Sequence, residues 1–222
     1  MKKLLIFILL AVLTIFAFGY YNAILVDDAF VELETKSLSL LKEGDIIFQT
    51  SKSEQSEAVS IATKSKFSHC GILYISDGKK YVFEAVQPVK LTPLEEWISQ
   101  GKERSFLVKR LKNAKSVLTD ATLLKMKQKG QHYLNKNYDL YFEWSDEKIY
   151  CSELVWKIYK QGAGIELCPF QKLKDFNLEN PTVQEIMKKR YGNTIPHNEK
   201  VIAPSQIANA VALETVIDTY KF

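Results

Sequence analysis

The stretch Ser68-His69-Cys70-Gly71-Ile72-Leu73-Tyr74-Ile75-Ser76-Asp77-Gly78-Lys79-Lys80-Tyr81-Val82-Phe83-Glu84-Ala85-Val86 reads as a β-hairpin. Two β-rich runs flank Asp77-Gly78, a pair suited to the backbone of a two-residue hairpin turn. The turn fixes the register. With Ser76 opposite Lys79, Gly71 falls opposite Glu84 and His69 opposite Val86. His69 and Glu84 then lie on one face as diagonal neighbours within reach of each other. A carboxylate that accepts from one imidazole nitrogen fixes the tautomer and leaves the other nitrogen free to face a thiol. Taken singly, His69 reads as a core histidine and Glu84 as a solvent-facing strand residue. Glu84, however, sits in the apolar run Tyr81–Val86, where a carboxylate at a half-buried position needs a partner. Cys70 is expected to point to the opposite face of the strand, into the core.

The thiol that this face would serve lies downstream, in Ile149-Tyr150-Cys151-Ser152-Glu153-Leu154-Val155. Cys151 opens a predicted helix that runs through Leu154, Val155 and Ile158 and stops at Gly162 to Gly164. A helix N-terminus and a nearby histidine are the two devices that lower a cysteine pKa. Read alone, Cys151 fits better as a buried cysteine at a helix start; His69 on the hairpin shifts that balance toward chemistry.

Around these two segments the pattern is α+β. Glu43-Gly44-Asp45 reads as a turn into a strand at Ile46 to Gln49, and Ser51 with Glu54 as a capping box for a helix through Ala58, Ile61 and Ala62. Thr92-Pro93-Leu94-Glu95 reads as a helix start with Thr92 as cap, carrying Trp97. Phe106 to Leu111 alternates as a strand, and Val117, Leu118, Ala121 and Leu124 share a helical face. Asn180-Pro181 starts a helix that Tyr191-Gly192 ends. Pro204-Ser205 begins a short helix, and Leu213 to Tyr220 reads as the last strand.

Length and composition fit one ordinary domain with an extension: 222 residues, 46% hydrophobic, 25% charged, net charge +4. No Lys/Arg run is interleaved with aromatics, so a nucleic-acid partner is not expected. Lys2 and Lys3 followed by an apolar stretch from Leu4 to Phe18 form the pattern of an export signal or a retained anchor over residues 1–26. Residues 27–39 read as a linker and 40–222 as the folded domain. The expectation is an exported or inner-membrane-anchored protein, with membrane association through residues 4–26. Three cysteines, Cys70, Cys151 and Cys168, leave at least one free thiol, and whether Cys70 and Cys168 pair stays open. There is no CxxC, and His69, His132 and His197 lack ligand spacing, so no metal or cofactor is expected. His132 and His197 read as surface residues.

The segments Gly44-Asp45-Ile46-Ile47-Phe48, Ser68-His69-Cys70-Gly71-Ile72-Leu73, Phe83-Glu84-Ala85 and Tyr150-Cys151-Ser152-Glu153-Leu154-Val155 resemble, in order, the permuted papain-like amidases of the YiiX/YaeF type. These are relatives of the NlpC-type cell-wall peptidases and of the lecithin:retinol acyltransferase group. The resemblance covers nearly the whole chain after the leader. It implies a circularly permuted papain-like α+β fold, in which a small antiparallel sheet packs on the Cys151 helix and the His strand precedes that helix. It implies Cys151 as nucleophile, His69 as base and Glu84 as the third, polar member. The backbone N–H of Cys151 is a natural oxyanion donor, and Gln49 a candidate second one, although a surface strand-end role suits Gln49 as well. Tyr138, Asp139, Trp144 and Tyr150 are candidates for shaping the cleft, with a core role as the alternative. Three functions remain open: a thiol amidase or peptidase on cell-wall peptides, an acyltransferase or hydrolase on lipids or N-acyl amino acids, and a non-catalytic binding module.

Overall fold

The computed structural model describes residues 38–220. The expected leader over residues 1–26 and residues 27–37 of the expected linker lie outside them. Among the described residues no helix is long and apolar enough to cross a membrane. The chain divides into two compact units, Met1–Leu41 and Lys42–Phe222. Of the first, the described part is a single turn in which the Leu41 N–H donates to the Leu38 carbonyl.

The second unit is built on one antiparallel sheet. Its strands are β1 (Ile46–Ser51), β2 (His69–Ser76), β3 (Lys79–Glu84), β4 (Lys90–Pro93), β5 (Gly101–Leu111) and β6 (Leu213–Asp218), in the order β6-β5-β1-β2-β3-β4. Of the six strands, β4 is the one not read from the sequence; β6, read there as the last strand, forms the opposite edge. The β2–β3 turn has Asp77 at φ 50° and Gly78 at φ 73°, the left-handed pair that a tight hairpin needs. Ser76 pairs with Lys79 and Ile72 with Phe83, so the register is the one the turn dictates. Gly71 comes next in that register. A side chain there would collide with Val82 Cγ1 and come within 2.8 Å of the Phe83 carbonyl oxygen, so only glycine lets the strands close at this point.

Strand periodicity sorts the two faces. Ile46, Phe48, Cys70, Ile72 and Tyr74 belong to the main apolar core, which they share with Leu154, Val155 and Ile158 of the Cys151 helix. Ile47, Leu73, Val82 and Val108 alternate with them and are also buried. Helix α2 (Leu94–Gln100) packs against β3, β4 and β5 and brings in Trp97 and Ile98, both buried. Each such apolar side chain contributes about 1.5–3 kcal/mol by leaving water.

The remaining helices are α1 (Glu54–Thr63), α3 (Ala114–Val117), α4 (Asp120–Gln131), α5 (Cys151–Ile158), α6 (Pro181–Tyr191) and α7 (Pro204–Ala208). Several differ from the sequence reading for local reasons. Helix α1 is capped by Ser53, whose Oγ accepts from the Ser56 N–H at 3.1 Å, and not by Ser51, which belongs to β1. The single face expected over Val117 to Leu124 is split, because Thr119 caps a new helix by accepting from the Thr122 N–H. Helix α2 starts after Pro93, and Thr92 lies in β4 instead of capping it. Helix α5 widens into a π-helical turn at Tyr159–Ala163 and ends on Gly164 at φ 74°.

Candidate functional site

Strand β2 begins at His69, and the diagonal pair expected on the hairpin face is present. His69 Nε2 lies 2.5 Å from Glu84 Oε2. Glu84 is fully buried and takes two further donors: Trp97 Nε1 to Oε2 at 2.8 Å and Thr92 Oγ1 to Oε1 at 2.5 Å. The Trp97 ring also stacks near His69, with centroids 6.1 Å apart. Burial by itself would raise the Glu84 pKa, but the bonds from His69, Thr92 and Trp97 outweigh it and hold the carboxyl below its ordinary value. Thr92 and Trp97 therefore complete the carboxylate site, and Thr92 is in β4 because its hydroxyl is used there.

Since Nε2 is committed to Glu84, Nδ1 is the nitrogen left for Cys151. Cys151 is the first residue of α5, where backbone N–H groups lack helical acceptors and the helix dipole favours an anion. Its thiol interacts by hydrogen bonding with both His69 and Cys70. The Cys70 hydrogen bond pulls the Cys151 pKa down, burial opposes it, and His69 pulls it down further; the net direction is well below the ordinary thiol value. For His69, burial works to lower the pKa, but Cys151 and Glu84 raise it to about 10. The arrangement favours a thiolate–imidazolium pair at neutral pH.

Cys70 is buried and on the core face, as the strand alternation requires. Its position next to Cys151 was not legible in the sequence. The Cys151 helix packs against β2, and both His69 and Cys70, consecutive at the start of that strand, act on its thiol. Burial and Cys151 both push the Cys70 thiol pKa up. Cys70, Cys151 and Cys168 are all free thiols.

Tyr138 lines the cleft beside Cys151, and burial, then the charge and hydrogen-bonding influence of the Cys151 thiol, raise the phenol pKa. Tyr150, directly before the thiol, packs its ring edge-on to Phe142 at 5.2 Å, and its hydroxyl accepts from the Ile202 N–H at 3.1 Å. Asp139 is buried and accepts from the backbone N–H groups of Tyr141 and Glu143, holding the loop over Tyr150. Trp144 sits edge-on to Trp156 and Phe170, a packing role. Gln49 is buried and not a surface strand-end residue; it pairs with His69 across β1–β2, and its Oε1 fills the space where a Gly101 side chain would stand.

Cys151 opens onto a cleft. Its walls are α1, through Ala58, Val59 and Ala62, and α6, through Val183, Ile186 and Met187, closed by Leu173, Phe176 and Leu178. Tyr138, Phe142, Tyr150 and Ser152 line the end at the thiol, and Arg190 is the one charged lining residue among those described.

The profile of a family described as "Permuted papain-like amidase enzyme, YaeF/YiiX, C92 family" matches residues 40–217. The chain belongs to that family. Membership supports a cysteine amidase at the level of the family, and it accounts for a His-bearing strand that precedes the Cys-bearing helix. One relative is the uncharacterized protein YiiX of Escherichia coli strain K12, 46% identical over 173 residues, which is 78% of this chain and 84% of that protein. Among solved structures, the crystal structure of a protein described as metalloprotein yiiX from Escherichia coli O157:H7 superposes with a TM-score of 0.78 at 44% identity. That superposition covers 81% of this chain and 98% of the other.

Proposed function

We propose that the protein is a thiol amidase acting on amides with an apolar acyl group, with Cys151 as nucleophile, His69 as acid and base, and Glu84 as the group that orients His69. The observation that carries this reading is the Glu84–His69–Cys151 alignment at the mouth of an apolar cleft. The Cys151 thiolate attacks the carbonyl carbon. The developing oxyanion meets the Cys151 backbone N–H and the Tyr138 hydroxyl. His69 passes its Nδ1 proton to the leaving nitrogen, releasing the amine and leaving a thioester on Cys151. His69 then takes a proton from water, hydroxide adds to the thioester, and the carboxylic acid departs with return of the thiolate.

The cleft is the reason for placing an acyl amide ahead of a cell-wall peptide. A peptide cross-link carries several charges, and apart from Arg190 the cleft, walled by Ala58, Val59, Val183, Ile186 and Met187, offers them no charged partner. The related crystal structure is described as that of a metalloprotein. The described residues of this chain contain no group of three or more His, Cys, Asp or Glu placed to hold a metal, so no step here is routed through one.

The test is mass spectrometry of N-acyl amino acids and of muropeptides incubated with the full chain and with Cys151→Ala. Release of free fatty acid by the wild type alone is the expected result. Cleavage of muropeptides alone would overturn the acyl reading, and cleavage of neither would favour a binding module.

A further inference from the structure

A chain of hydrogen bonds runs from α6 through α1 to Tyr138, which lines the cleft together with Cys151. Arg190, in the last turn of α6, donates from Nη2 to Gln55 Oε1 at 3.0 Å. Gln55, in the first turn of α1, donates from Nε2 to the Tyr138 hydroxyl at 2.9 Å. Tyr138 and Cys151 line the same end of the cleft, and burial followed by the nearby thiol raises the phenol pKa. Arg190 is held in place by the Phe142 ring, 5.5 Å from its guanidinium carbon.

The direction of the chain follows from the chemistry of its members. A guanidinium only donates, so the Gln55 side facing Arg190 must be its carbonyl oxygen. The Gln55 NH₂ then faces Tyr138 and can only donate. A phenol that accepts there has one proton left, and the neighbour that gains from it is the Cys151 sulfur. We infer that Gln55 and Arg190 are positioning residues, which fix the Tyr138 hydroxyl proton toward Cys151 and so toward the oxyanion that forms beside it. The inference rests on the proposed role of Cys151 as a thiolate nucleophile. It also gives the two helices that wall the cleft a polar route to the reacting atoms, so occupancy of the cleft and reactivity of the thiol are tied through one pair of side chains.

A merely structural tie between α1 and α6 makes a different prediction. Gln55→Glu keeps, and strengthens, the contact with Arg190, but a carboxylate only accepts, so it turns the phenol proton away from Cys151. The experiment is the pH profile of iodoacetamide alkylation, followed on the Cys151 peptide by mass spectrometry in the full chain. Tyr138→Phe is expected to move the profile up by about one pH unit, a tenfold loss of thiolate at a given acid pH. Gln55→Glu is expected to move it similarly, with an unchanged or higher melting temperature, and to add nothing in the Tyr138→Phe background. A Gln55→Glu shift that persists undiminished in that background is a plain charge effect and overturns the relay, as does an unshifted profile. Arg190→Met, which frees the amide to turn over, is expected to shift the profile, while Arg190→Lys largely preserves it; equal behaviour of the two also overturns the proposal. Alkylation needs no substrate, so failure to cleave acyl amides strikes the proposed function alone.

Discussion

Glu84 and Glu153 are both completely buried, one at the end of a hairpin strand and the other in the first turn of the Cys151 helix. Their acidities move in opposite directions. Glu84 has three donors to itself and is held below its ordinary pKa. Burial pushes Glu153 up to about 8, against the pull of Lys157. Lys157 Nζ lies 2.8 Å from Glu153 Oε1, but it also reaches Asp146 Oδ1 at 2.7 Å and the Ser145 carbonyl at 2.5 Å. One cation divided among three acceptors does not offset the desolvation of Glu153, and the Tyr150 N–H adds only a long bond at 3.4 Å. Burial alone therefore says little about a carboxylate; the donors it owns decide its charge.

The largest effect expected from this contrast is at Glu84. Glu84→Ala leaves His69, Thr92 and Trp97 without their acceptor, and a loss of about 3–5 kcal/mol in urea unfolding is expected, together with slower alkylation of Cys151. A neutral result would end the contrast. Removing one donor is the milder form: Thr92→Val is expected to cost about 1.5–3 kcal/mol and to raise the Glu84 pKa.

Glu153 should respond with the opposite sign. A folded-state pKa raised from 4.5 to about 8 means that the stability linked to this proton is fully present below pH 4.5 and is lost as pH rises to about 8. Glu153→Gln is expected to remove that slope, with a gain of roughly 1–2 kcal/mol at pH 9 in melting or urea experiments. The Glu84–His69 pair slopes the other way at its acid edge. The lowered Glu84 pKa contributes stability above 4.5 that is lost as pH falls, and the raised His69 pKa contributes stability below 6.5 that is lost as pH rises through about 10. The smallest effect belongs to an exposed pair. Arg104→Ala breaks the contact with Glu95, and a change below about 0.5 kcal/mol is expected, because water screens it.

What the sequence made legible was local or fixed by a turn. Asp77-Gly78 set the hairpin register, and register alone was enough to bring His69 and Glu84 together. Asn180-Pro181 and Gly192 bounded α6, because caps are written into neighbouring residues. Beyond the pairing of His69 with Cys151, which the order of the family's motifs implied, contacts between distant segments were not legible. Thr92 was read as a helix cap because a threonine before proline suits that role, and nothing local marks its hydroxyl for Glu84. Cys70 followed the alternation rule, but alternation cannot say which helix covers the far face. Gln55 and Arg190 are far apart in sequence and meet only when α1 and α6 close the cleft. The apolar residues of those helices read as ordinary core, so the character of the cleft, on which the proposed acyl substrate rests, came from the structure.

Trp97 has one more consequence. Its indole N–H is bonded to the carboxylate that orients His69, and its ring lies along the imidazole. An imidazolium quenches indole emission more strongly than a neutral imidazole. Trp97, one of three tryptophans in the chain, thus adds to the total emission a component that registers when the proton leaves His69, without any label and without any substrate.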